Sequence, residues 1–93
     1  MLASMGAQGS ILADASGAWR AAPLKLNVRS TVGAGDAMLS GFLAAYVRGE
    51  SVREAFRWAV ASASASVEGE GTFMPGSAEA ARYLPYIQIE RLM

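Results

Sequence analysis

Cysteine and histidine are both absent from this 93-residue sequence. Without thiols there is no disulfide framework. Without thiols and imidazoles there is no ordinary zinc site, and no catalytic triad that passes a proton through histidine. Net charge is also missing: eight basic and eight acidic residues cancel. No run of five or more basic residues occurs, so nucleic acid is a poor fit as a partner. Long hydrophobic runs are lacking too. The most apolar stretch, Phe42–Val47, is far too short to span a bilayer. Met1–Ser10 has neither the charged nor the apolar region of a signal peptide. These absences lead to the expectation of a cytoplasmic protein without a membrane partner. No internal repeat is found, and the only compositionally biased tract is the Ala/Ser-rich run Ala59–Ser66.

What is present suits one small folded domain. Hydrophobic residues make up 53% of the chain, enough for a core and too many for global disorder. After a short apolar start, Gly6-Ala7-Gln8-Gly9 forms a turn. Ser10–Asp14 and Ala18–Ala22 flank the turn cluster Asp14-Ala15-Ser16-Gly17, the pattern of a hairpin that Pro23 ends. Leu24, Leu26 and Val28 alternate with Lys25, Asn27 and Arg29, which predicts a half-buried strand.

The period then changes from two to that of a helix. Apolar residues from Met38 to Val47 recur at helical spacing and predict a helix over about Ala34–Arg48. Ser51 and Glu54 have capping-box spacing ahead of a second helix, Ser51–Val67. Its expected buried stripe is Val52, Ala55, Phe56, Ala59, Val60, Ala63 and Val67. Ser77 opens a third helix ending near Leu84, before Pro85, and Ile87–Ile89 reads as extended. Trp19, Trp58 and the methionines read as packing residues, and Arg53 and Arg57 as a solvated helix face.

Strands followed by helices make an α/β chain, and the join between them carries Ser30-Thr31-Val32-Gly33-Ala34-Gly35-Asp36. Two glycines let the backbone turn tightly with its amides converging, and the following helix adds the positive end of its dipole. Such a join can hold a phosphate. A carboxylate at the same place can accept a proton from an incoming hydroxyl. The other reading of the same residues is a plain glycine turn with Asp36 as helix N-cap. The spacing is not that of a Walker loop, and Met38 stands where a dinucleotide-binding fingerprint needs its third glycine.

Ser-Thr-Val-Gly-Ala-Gly-Asp over residues 30–36 resembles the second signature of the PfkB/ribokinase carbohydrate kinases. Ser4-Met5-Gly6-Ala7-Gln8-Gly9 is similar to that family's nucleotide loop at a strand end. The Ala/Ser-rich helix with Gly71, Thr72 and Pro75 is similar to its adenine-side wall. The resemblance implies a ribokinase-like three-layer α/β fold and a kinase using ATP with Mg²⁺ carried by the nucleotide. Asp36 would take the proton of the acceptor hydroxyl. Gly33, Ala34 and Gly35 would form the anion hole. Ser4, Met5, Gly6, Ala7, Gln8 and Gly9, with Gly35 and Asp36, would line the nucleotide, and Ser62 or Ser66 would lie near the adenine. Small residues serving close helix packing explain those two serines equally well.

The wording is nearest the phosphosugar branch, which includes 1-phosphofructokinase and tagatose-6-phosphate kinase. Ser30 stands where ribose kinases commonly place an aspartate that helps bind a monovalent cation, so no metal site on the protein is expected. Family members are much longer. Residues 1–93 are therefore expected to be the C-terminal nucleotide-binding and catalytic part, without the N-terminal part and lid, and inactive alone. Most strands of a central parallel sheet would be missing, and the exposed sheet edge would invite homo-oligomerisation. A nucleotide-binding module without catalysis, or a non-binding remnant that survives by oligomerising, remain the competing readings.

Overall fold

The computed structural model describes residues 2–4, 9–15, 17–26, 33–69 and 77–92. Within them run β1 (Leu2–Ser4), β2 (Ser10–Asp14), β3 (Gly17–Ala21), α1 (Ala34–Val47), α2 (Val52–Glu68), α3 (Ser77–Ala81), a 3₁₀ turn (Leu84–Tyr86) and β4 (Ile89–Arg91).

The four strands form one sheet in the order β1-β2-β3-β4, and every pairing is antiparallel. The hairpin expected around Asp14–Gly17 is present as β2 and β3. β1 passes into β2 through a short connection, and β2 into β3 through a tighter one. Such links join only antiparallel neighbours, because parallel strands need a crossover of about a dozen residues or more. β4 comes from the far end of the chain and closes the outer edge of β3, pairing Ala21 with Ile89 and Trp19 with Arg91.

Alternation decides the sheet's inner face. Ser10 and Leu12 on β2 lie opposite Ala21 and Trp19 on β3, and all four are buried. The strand expected over Leu24–Val28 is not found in its described part, residues 24–26. Pro23 takes the chain out of the ladder, and β4 already holds the edge of β3 that a continuing strand would need. Asn27 and Val28 lie outside the described residues.

α2 packs against α1, α3, β3 and the 3₁₀ turn. Its N-cap is Ser51, whose hydroxyl accepts from the Glu54 amide at 3.2 Å. The reciprocal half of the capping box is replaced: the Glu54 carboxylate oxygens receive Arg53 at 2.8 Å and Arg57 at 3.3 Å. Arg57 also donates to the Leu84 carbonyl at 2.8 Å, so it ties α2 to the 3₁₀ turn and is no solvated residue. Arg53 alone has the exposed character expected of both.

Burial on α2 is broader than one stripe. Val52, Ala63 and Val67 are only partly buried, whereas Ala61, Ser62, Ser64, Ala65 and Ser66 are buried. The cause is neighbours on several sides, and the small side chains let them approach. A Cβ placed on Gly41 of α1 would meet the Ser62 Cβ at 2.8 Å and the Trp58 carbonyl oxygen at 2.9 Å. Ser64 returns its hydroxyl to the Val60 carbonyl at 2.8 Å, which removes the polar cost of burying it.

α1 ends in a Schellman motif: the Gly49 amide bonds to the Tyr46 carbonyl and the Glu50 amide to the Ala45 carbonyl. Beyond it, the Arg48 guanidinium stacks 4.9 Å from the Trp58 ring centroid. The third helix is shorter than expected. It stops at Ala81, and Pro85 sits inside the 3₁₀ turn that follows. A proline in the first turn forfeits no helical hydrogen bond, so it starts this turn where it was expected to stop a helix. Leu12, Trp19, Met38, Phe56, Ala59, Val60, Ala80 and Ile87 meet in the core.

Candidate functional site

Of the residues singled out by sequence, Gly33, Ala34, Gly35 and Asp36 lie at the N-terminus of α1. Gly33 is the N-cap, with φ 83° in the left-handed region, and supplies no side-chain cap. The first backbone bond of the helix runs from the Ala37 amide to the Gly33 carbonyl at 2.9 Å. By helix geometry the amides of Ala34, Gly35 and Asp36 have no partner within the helix. The positive φ requires glycine at 33: a Cβ there would meet nothing within 4 Å, so backbone conformation is the constraint and space is not.

Gly35 differs. It is helical, exposed and without a positive φ, and a Cβ on it would also meet nothing within 4 Å. Nothing in the described fold demands a glycine there. Asp36 stands exposed in the first turn of α1, three residues past the cap. It is therefore not the N-cap, which removes the purely structural reading of this carboxylate as a cap. Asp36 still gains from the helix dipole, a contribution of about 0.3–1 kcal/mol for an exposed first-turn acid.

The expected second loop is only partly visible. Met5, Gly6, Ala7 and Gln8 lie outside the described residues, as do Ser30, Thr31 and Val32, so the geometry between Ser4–Gly9 and Gly33–Asp36 is not described. Gly9 is buried, with φ 93°, and a Cβ on it would press on the backbone of Ala21 and reach the Pro23 nitrogen at 3.1 Å. Packing against the hairpin accounts for this glycine without a ligand.

Ser62 and Ser66 are buried within the molecule. Ser62 fills the crossing with Gly41, and Ser66 is fully enclosed. For Ser62, close helix packing is the reading its surroundings carry, since a base would have to part α1 from α2 to reach it. Gly71, Thr72 and Pro75 lie outside the described residues.

A site that sequence reasoning missed lies elsewhere. Pro23, Leu24, Lys25, Leu26, Glu68, Arg82, Tyr83 and Tyr86 line a cleft of about 600 Å³, within the usual size of small-molecule sites. Its polar wall is a pair: the Tyr83 hydroxyl donates to a Glu68 carboxylate oxygen in a short hydrogen bond. Burial, then the bond to Glu68 and its negative charge, push the Tyr83 phenol above its ordinary value, and Arg82 opposes them. Glu68 closes α2, at the negative end of its dipole, and the tyrosine hydroxyl offsets part of that unfavourable placement. No local spacing announces this cleft, because its walls come from three segments distant in sequence. Among the described residues no helix is long and apolar enough to cross a membrane. No group of three or more acidic side chains among them could hold a metal ion.

Comparison with known proteins agrees with the family resemblance. The profile of the pfkB family carbohydrate kinases matches residues 1–78. The chain is 45% identical over 75 residues to 1-phosphofructokinase of Haloferax volcanii, covering 81% of this chain and 25% of that protein. It is 42% identical over 64 residues to 1-phosphofructokinase of Escherichia coli K12, covering 69% and 20%. Among solved structures, Escherichia coli phosphofructokinase-2, determined in complex with potassium, superposes with a TM-score of 0.81 at 28% identity, over 91% of this chain and 28% of that one. The chain thus spans about a quarter of the length of the relatives it matches, and its arrangement is that of a part of the ribokinase-like α/β fold. With a family match over most of its length and the signature glycine turn opening a helix, this chain belongs to the pfkB family of carbohydrate kinases.

Proposed function

We propose that this chain supplies the phosphoryl-transfer end of an ATP-dependent sugar-phosphate kinase of the 1-phosphofructokinase type. One observation carries the reading: an uncapped helix N-terminus, turned by Gly33 in the left-handed region, presents the exposed carboxylate of Asp36. The amides of Ala34 and Gly35 face the γ-phosphoryl group and stabilise the charge on its oxygens as it transfers. Asp36 accepts the proton of the acceptor hydroxyl. The hydroxyl oxygen forms the new O–P bond, and the bond from the γ-phosphorus to the bridging oxygen breaks, releasing ADP. Mg²⁺ carried by the nucleotide would neutralise charge on the phosphates.

For the nucleoside we propose the cleft beside Leu24 and Leu26. Its size suits a base and ribose, and Leu24, Leu26 and Tyr86 offer apolar surface for a ring to lie on. Ser62 and Ser66 are buried and do not line this cleft.

The sugar phosphate is the acceptor in this reading because curated relatives at 45% and 42% identity are 1-phosphofructokinases. The deciding experiment splices this chain into Haloferax volcanii 1-phosphofructokinase in place of the matching segment. ATP-dependent phosphorylation of fructose 1-phosphate, tagatose 6-phosphate and fructose 6-phosphate is then followed, with and without Asp36→Asn. Turnover of fructose 1-phosphate that disappears with Asp36→Asn is the expected result. Turnover that survives the substitution refutes the role of Asp36. Nucleotide binding by the 93-residue chain itself separates a binding module from a remnant that binds nothing.

A further inference from the structure

The cleft proposed for the nucleoside has a recessed lining and an exposed one. Leu24, Leu26, Glu68 and Tyr83 are half-buried in it, whereas Lys25 and Arg82 are exposed. Two elements set the recessed polar wall. Glu68 is the last residue of α2. Tyr83 precedes the 3₁₀ turn, and its amide donates to the Ala80 carbonyl at 3.0 Å. The bond from Arg57 to the Leu84 carbonyl ties that turn back to α2. The two side chains therefore meet on a braced frame.

The direction of their bond decides what the wall offers a ligand. The Tyr83 hydroxyl gives its one proton to a Glu68 carboxylate oxygen. Burial, and then Glu68, raise the phenol, so the proton stays in place through neutral pH. What remains of the hydroxyl is its lone pairs. A carboxylate has two oxygens and about four acceptor positions, so it takes the Tyr83 proton and further donors together. Toward the cleft both side chains thus present acceptors and no donor. An acid at the negative end of a helix dipole is also a placement that fold stability alone disfavours.

We infer that Glu68 and Tyr83 read the base: they receive the exocyclic amine of adenine and reject a base with a carbonyl in its place, as in hypoxanthine. The amine donates to the carboxylate in a charge-assisted bond, the stronger class of hydrogen bond. A carbonyl turns lone pairs toward lone pairs and leaves the carboxylate desolvated without a new donor. Lys25 and Arg82 do not offset this. They are exposed, so a carbonyl bonded to them only exchanges one solvated partner for another. The inference rests on the nucleoside lying in this cleft and is independent of the role of Asp36.

The test is equilibrium binding of ATP and of ITP, its hypoxanthine counterpart, to the 93-residue chain by titration calorimetry. No turnover is needed. ATP should bind about tenfold to a hundredfold more tightly, the worth of one hydrogen bond to a charged group. Glu68→Gln still accepts from Tyr83, but that bond now turns the amide NH₂ toward the cleft, and the preference should reverse in favour of ITP. Adding Tyr83→Phe frees the amide to turn either way and should erase the preference. A residue serving only the fold would weaken both nucleotides alike.

Leu26→Asp, with Leu26→Ser as the milder form, disturbs the apolar wall and should weaken both nucleotides together. If it does so while Glu68→Gln leaves the preference for ATP intact, the pair does not read the base, and the cleft stands as the nucleoside site. If changes at Leu26 leave both affinities unaltered, or the chain binds neither nucleotide, the cleft is not that site and the inference falls with it.

Discussion

At the scale of single residues, Gly33 and Gly35 separate two demands that one short sequence places on glycine. Gly33 is needed for its backbone conformation, with φ 83°. Gly33→Ala should therefore cost roughly 1 kcal/mol or more of stability, measurable by urea unfolding of the 93-residue chain. Gly35 sits in ordinary helical geometry with open space beside it. Gly35→Ala should leave stability unchanged or slightly raised, by up to about 1 kcal/mol, and lower kinase activity of the chimera by crowding the phosphate. If Gly35→Ala also left ATP affinity and turnover unchanged, the anion hole would have to lie elsewhere.

Asp36→Asn keeps size and hydrogen bonding but cannot take the proton. In the chimera it should lower kcat by about 10²–10⁴ while ATP affinity stays close to its original value.

Tyr83 gives a pH prediction. Its phenol is raised in the folded protein by burial and by Glu68, against Arg82, so the unfolded chain loses that proton first as pH climbs. The contribution is fully present below the unfolded value near 10 and is lost as pH rises through the raised folded value. Tyr83→Phe should weaken the fold by about 1 kcal/mol at neutral pH and flatten the alkaline decline. Parallel denaturation curves at neutral pH and above pH 10 check both effects.

At the scale of elements, α2 organises the molecule because it touches helices, sheet and turn together. Phe56 is its one large side chain that is fully buried. Phe56→Ala should cost about 3–5 kcal/mol, a large share of the roughly 5–15 kcal/mol that holds a small domain folded, and should show as a fall in Tm or outright unfolding. The α1–α2 crossing is governed by closeness. Gly41→Val would drive branched carbons into Ser62 and the Trp58 backbone, forcing the helices apart. Exposed Ser40→Val, one position away, is the matched control, since α1 turns that position outward.

At the scale of the whole molecule, the chain is a folded unit that matches 25% and 20% of the length of two of its relatives. Its described strands close a small antiparallel sheet, and its helices leave the outer face of α1 apolar and exposed. We predict that the 93-residue chain alone shows no sugar-phosphate turnover. Holding an acceptor hydroxyl in line and excluding water need surfaces beyond a helix N-terminus and one cleft. The assay of the isolated chain beside the chimera checks this, and robust activity from the isolated chain would show that it carries an acceptor site of its own.

Local chemistry made much of this legible in the residues alone. The hairpin around Asp14–Gly17, the ends of α1 and the Ser51 cap all depend on neighbours within a few positions, where glycine, serine and periodicity act directly. The seven residues from Ser30 to Asp36 likewise pointed to the family whose model matches residues 1–78. Tertiary structure alone decided what depends on partners distant along the chain. β4 returned from residues 89–91 to take the edge of β3, which left residues 24–26 outside the sheet. Arg57 found the Leu84 carbonyl, and Ser62 found Gly41. Glu68 and Tyr83 met across a cleft that no periodicity announces. A periodic pattern reports that a face is apolar, as on α1, but only the packing of separate elements fixes which apolar face is covered and which is left exposed.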